Sequence, residues 1–234
     1  MTPEEIDRIF AQSGGRGLDP DAIERAKAAL PGRIVPVRPL APPSMFLLAF
    51  LAAFAVISVA CASLLGMAGL RALDDFQRAV IFPLLVLVAA IAALAAAREM
   101  RPAGGRRIGR FALAASTAGL LAAFAFLLRD YATPNFVPQG IRCLVAGLVC
   151  AIPTAAILYL FLRRGFVLDW PSAGLALGTL AGLSGVAMLE MHCPILQAPH
   201  VMFWHVAVVP LAGTGGWLLG VLAQSAGRSG IEKR

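Results

Sequence analysis

SMFLLAFLAAFAVISVACASLLGMAG, residues 44–69, runs for 26 residues without one charged side chain. A helix rising 1.5 Å per residue needs roughly 20 residues to cross a hydrocarbon core of about 30 Å. The stretch is therefore long enough to span, as Ser44–Gly69, and five more follow it: Gln77–Ala97, Arg110–Leu128, Ile141–Leu162, Ser172–His192 and Val201–Ala223. Helices buried inside a large soluble protein would need polar sequence to coat them. The 234-residue chain is 59% hydrophobic and only 14% charged, which leaves almost none. The expected fold is all-α, a polytopic six-helix transmembrane bundle over residues 44–223. A short cytoplasmic N-terminal helical arm, residues 1–43, precedes it, and a cytoplasmic C-terminal tail, residues 224–234, follows. The arm is polar and proline-rich, with no apolar core of a cleavable signal peptide.

Six spans put both termini on one side, together with the connections after spans two and four. Those segments hold 16 of the 20 basic residues, among them Arg98, Arg101, Arg106, Arg107, Arg110, Arg163 and Arg164. The other side holds Arg71, Arg78, Arg129 and Arg142. This is the positive-inside asymmetry, which places both termini in the cytoplasm and makes the bilayer the chain's solvent. It also accounts for the net charge of +7 without direct nucleic-acid binding.

Within the arm, TPEEIDRIF opens like a helix, with Thr2 as cap, Pro3 in the first turn and Glu4 and Glu5 at the positive end of the dipole. Ile6, Ile9 and Phe10 follow at i, i+3 and i+4. DPDAIERAKAAL (19–30) repeats the pattern, with Asp19 as cap and Ile23, Ala26 and Leu30 on one face, and Pro31-Gly32 ends it. RIVPVRPLAPP (33–43) carries four prolines and must run extended. Two helices of this length are marginal alone in water, so their stripes need something to lie against. With six acids and six bases the arm has little pull on anionic lipid or DNA phosphate. A protein groove that accepts an amphipathic helix fits Ile6, Ile9, Phe10, Ile23 and Leu30 better.

At the far side lies MLEMHCPILQAPHVMFWH (188–205), which holds all 3 histidines of the chain, His192, His200 and His205, with Glu190 and Cys193. Glu190 is the only carboxylate placed within these spans. Span four begins on the same side, which sets Cys143 at about the depth of Cys193, with Cys61 and Cys150 deeper. Three readings stay open. The first is a metal site of His192, Cys193, His200 and His205, whose imidazole and thiolate donors suit zinc. On a regular helix, however, His200 and His205 stand about 140° apart. The second is redox, with Cys143 and Cys193 facing an oxidising compartment. The third is structural: His200 and Trp204 form an interfacial belt, and buried Glu190 pairs with Arg142 or a histidine. A small transporter or metal-handling protein using this His/Cys/Glu cluster is the alternative function, although no charge is expected at the midplane. GLSG (182–185) mimics the serine motif of an intramembrane protease, but Ser184 lies too deep to meet His205, so no catalytic residue is assigned. Gly174, Gly178 and Gly182, spaced by four, and Gly216 with Gly220 instead predict close helix–helix packing.

PVRPLAPP before the first span, Arg142-Cys143 opening span four, RRG (163–165) closing it, and HCP (192–194) with Trp204 ten residues beyond carry a family resemblance. Over about residues 33 to 222 the chain resembles the NrsF-like family of six-span bacterial membrane anti-sigma factors. The resemblance implies an inner-membrane regulator rather than an enzyme, whose N-terminal segment sequesters an extracytoplasmic-function sigma factor. It also implies that Cys143 and Cys193 take part in sensing at the outer face. His200 and His205 have no counterpart in that pattern.

Overall fold

The computed structural model describes residues 42–100, 110–163, 165 and 167–232, together with Asp21, Glu24, Arg25 and Ala28. The chain divides into two units, Met1–Leu40 and Ala41–Arg234. In the first, the four described residues are helical and exposed. Ile6, Ile9, Phe10, Ile23 and Leu30 lie outside the described residues, as do Arg101, Arg106, Arg107 and Arg164.

The second unit is a helical bundle: α1 (Pro43–Leu65), α2 (Ala68–Ala72), α3 (Asp75–Glu99), α4 (Arg110–Leu127), α5 (Phe136–Leu162), α6 (Trp170–His192), α7 (Ala198–His200) and α8 (Val208–Glu232). A π-helical turn, Val201–His205, joins α7 to α8. Among the described residues the only extended pairing is a single bridge between Asp130 and Gln197. Five helical runs are long and apolar enough to cross a membrane: α1, α3, α5, α6 and the run Ala198–Ala226. The sixth helix, α4, is apolar but shorter, at 18 residues.

The helices differ from the hydropathy windows at their ends, and the causes are local. Gly66, at φ 97°, stops α1 before the predicted Gly69. Asp74 caps α3 ahead of Gln77, accepting from the Gln77 backbone N–H at 2.7 Å while the Gln77 side chain returns to the Asp74 N–H at 3.1 Å. Asp169 likewise starts α6, accepting from Ser172 N at 3.2 Å, with Pro171 in the first turn.

Burial shows which helix is central. Of α6's apolar window 83% is buried, against 28–44% for the other four runs. It packs on α8, α5, α3 and α1. The glycine stripe is what permits this. A methyl group at Gly174 would strike the Gly216 carbonyl, one at Gly178 the Ala212 carbonyl, and one at Gly220 the Trp170 carbonyl, so the backbones of α6 and α8 are in contact. The outward faces are apolar instead: Leu48, Val56, Leu64, Phe111, Phe126 and Ile152 are each at least 64% exposed. A soluble protein does not present such a surface, whereas a bilayer solvates it.

The connections after α1, α4 and α6 gather at one end, as six alternating spans demand. Ala198 N–H donates to the Asp130 carbonyl at 2.7 Å. His192 Nδ1 lies 2.9 Å from the Gly66 carbonyl, and Gly69 sits so close to the Cys193 and Glu190 carbonyls that no side chain would fit there.

Candidate functional site

At that end the side chains converge from three elements. Cys143 comes from the second turn of α5, Cys193 from the residue after α6, and His200 and His205 from α7 and the π turn. One ligand atom from each of these four residues lies within 4.8 Å of the other three. The Cys143 and Cys193 sulfurs are 3.7 Å apart and both are free thiols. Cys193 Sγ is also 3.7 Å from His200 Nε2.

The π turn corrects the helical-wheel expectation for the two histidines. Val206 N–H donates to the Val201 carbonyl at 3.1 Å, an i→i+5 bond, and in such a turn residues five apart stack on one face. His200 and His205 therefore sit edge to face, with ring centroids 5.1 Å apart. Pro210 helps, because it has no N–H for the Val206 carbonyl, which accepts from Val209 at 3.0 Å instead. Trp204, half-buried, lies where a side chain at position 140 would be, and only Gly140 leaves room for its indole. Phe136 packs on the same indole at 5.5 Å.

Glu190 and His205 are both fully buried and joined by a 2.7 Å contact between Oε1 and Nδ1. Of the two partners the sequence offered Glu190, the structure takes the histidine. Arg142 is exposed. Burying this pair is costly unless its remaining atoms find partners, yet Glu190 Oε2, His205 Nε2 and Trp204 Nε1 are buried with none. Cys193 is pushed up from its ordinary thiol value by the Cys143 sulfur and by burial, against the pull of His200 and His205.

The structure redraws two further expectations. His192 turns to the Gly66 carbonyl and is outside the group of four, and Cys143 takes the place it was given among the metal donors. His200 is 2% exposed, buried beside Cys193 rather than set at an exposed interfacial belt. Cys61 and Cys150 stand apart from the group and line an apolar groove of about 640 Å³ with Leu64, Val149 and Pro153. Ser184 has no base beside it. Its hydroxyl meets Ser58 at 3.0 Å and Thr154 at 2.9 Å, in a hydroxyl network between α1, α5 and α6.

A helical bundle with a lipid-compatible exterior and a thiol–imidazole cluster at the meeting of three connections defines a polytopic membrane protein. The chain matches the family described as NrsF, negative regulator of sigma F, over residues 30–223, and it belongs to that family. No curated protein and no solved structure matches it. The protein is thus of a kind that restrains a sigma factor. The matched segment begins after Ile6, Ile9, Phe10 and Ile23.

Proposed function

We propose that the protein is an inner-membrane anti-sigma factor with both termini in the cytoplasm. In this reading its N-terminal arm sequesters an extracytoplasmic-function sigma factor through Ile6, Ile9, Phe10, Ile23 and Leu30. A redox or metal signal at the outer face, acting on Cys143 and Cys193, releases it. Family membership supports the sigma-factor partner. The arginine and lysine asymmetry supports the orientation. The observation that carries the sensing reading is the 3.7 Å approach of two free thiols from different helices.

Chemistry at that pair ties α5 to the end of α6, and α6 is the helix on which the others pack. A shift of α6 is transmitted to α8 through their close glycine-lined backbone contact. Release of the partner requires two arrangements of the bundle that differ in affinity for it, typically by about 1–3 kcal/mol of coupling. In this reading the function is regulatory rather than enzymatic, as membership of a family of negative regulators supports.

The test is co-purification of the full-length protein with a small sigma factor encoded beside it. The wild type retains the partner, and an Ile9→Asp, Phe10→Asp double variant loses it, because two carboxylates on the apolar stripe must be desolvated in the groove. Failure of the wild type to retain any sigma factor contradicts the reading.

A further inference from the structure

We propose that Cys143, Cys193, His200 and His205 form a tetrahedral site for a borderline or soft divalent cation of the Zn²⁺ or Cd²⁺ class, with Glu190 holding His205 from behind. The inference deepens the sensing role of the two thiols and rests on it only in making the ion a signal; binding of the ion stands by itself.

Three observations carry it. The first is spacing. Two metal–sulfur bonds of about 2.3 Å at a tetrahedral angle set the sulfurs about 3.8 Å apart, and a sulfur and an imidazole nitrogen about 3.6 Å apart. The Cys143–Cys193 and Cys193–His200 separations are both 3.7 Å. All four donor atoms fall within 4.8 Å, so small rotations of the side chains suffice to close the set. The second is the orphaned nitrogen. His205 is completely buried with Nδ1 committed to Glu190, and Nε2, the nitrogen left to bind an ion, has no partner. Carboxylate behind histidine behind metal is the arrangement that fixes the ring and its tautomer. The third is the backbone. The π turn is what sets two histidines five residues apart on one face, and such turns recur at functional sites.

The chemistry balances without an oxidant. The divalent ion enters past Cys143, the half-buried member of the set. The hydrated ion sheds its water ligands to solvent and two thiol protons pass to water, while two metal–sulfur and two metal–nitrogen bonds form and the thiolates offset the ion's charge. Glu190 then accepts the His205 Nδ1 proton as a hydrogen bond. No electron moves, which separates this event from disulfide formation, where two electrons must go to an acceptor. The four bonds fasten α5, the end of α6 and the entry to α8 to one point.

The experiment uses the full-length protein in detergent, purified under reducing, anaerobic conditions and dialysed against Zn²⁺ and, separately, Cd²⁺. The expected result is one ion per chain, with X-ray absorption showing two sulfur and two nitrogen neighbours. Because this is read on the wild type, it does not depend on any variant folding. Glu190→Gln keeps the shape and weakens binding by about 10- to 100-fold, and His200→Ala with His205→Ala abolishes the nitrogen shell. Absence of a bound ion, or an oxygen-only shell, overturns the site. If the ion is absent but an oxidant still frees the sigma factor from the wild type and not from a Cys143→Ser, Cys193→Ser variant, the site fails and thiol sensing survives. If the ion binds as described but the double-serine variant responds like the wild type, the site stands and the sensing reading fails.

Discussion

The middle turns of α6 and its C-terminal end bury polar groups in opposite ways. In its middle turns Ser184 is satisfied: its hydroxyl has Ser58 and Thr154, and its carbonyl accepts from Ser58 at 3.1 Å. Glycines there hold α8 in backbone contact. At its C-terminal end Glu190 faces His205, with a carboxylate oxygen and an imidazole nitrogen left over, beside two free thiols. A membrane protein keeps a satisfied hydroxyl cluster for helix packing. It has no packing reason to keep an acid, two imidazoles and two thiols together where a carboxylate oxygen and an imidazole nitrogen lack partners. The middle turns of the helix hold the bundle, and its C-terminal end gathers the groups on which the proposed sensing rests.

That contrast can be broken by substitution. The largest effect is expected at the C-terminal end: Cys143→Ser with Cys193→Ser abolishes the signal response while membrane insertion is unchanged, read from expression of the sigma factor's target genes under stress. A response equal to the wild type erases the distinction between the two regions. Next come the packing turns. Gly178→Leu drives a side chain into the Ala212 carbonyl and costs about 3 kcal/mol or more, seen as loss of folded protein in a detergent unfolding titration. Gly215→Ala, where an added methyl meets nothing within 4 Å, leaves the same titration unmoved. The smallest effect is Ser184→Ala, which removes hydroxyl contacts worth about 1 kcal/mol and leaves the signal response intact. Loss of response in that variant would move the reactive region toward the middle of the bundle.

Much of this was legible in the residues. Long uncharged runs predict the helices, and the four-residue glycine spacing predicts which faces meet, because both depend on repeating local patterns. The gathering of His, Cys and Glu at one end was legible too, through the alternation of spans. The exact donor set was not. His192 and His200 look equivalent in a string, yet Gly66 captures one ring and the turn into α8 buries the other. The π turn has no signature within VMFWH; its one local hint is Pro210, whose missing N–H disturbs the ladder just beyond. Helix ends shifted wherever an Asp cap or a left-handed residue such as Gly66 or Asn135 overrode hydropathy. The tail-to-groove role of Ile6, Ile9 and Phe10 is carried by amphipathic spacing alone.

The account depends on the signal entering at the end of the bundle opposite to the arm. Single added cysteines at Ala132→Cys, in the exposed connection before α5, and at Ser13→Cys, in the arm, test this in intact spheroplasts with a membrane-impermeant maleimide. Labelling above the parent protein at position 132, and at position 13 only after permeabilisation, is the predicted result. Equal labelling of both before permeabilisation would contradict it.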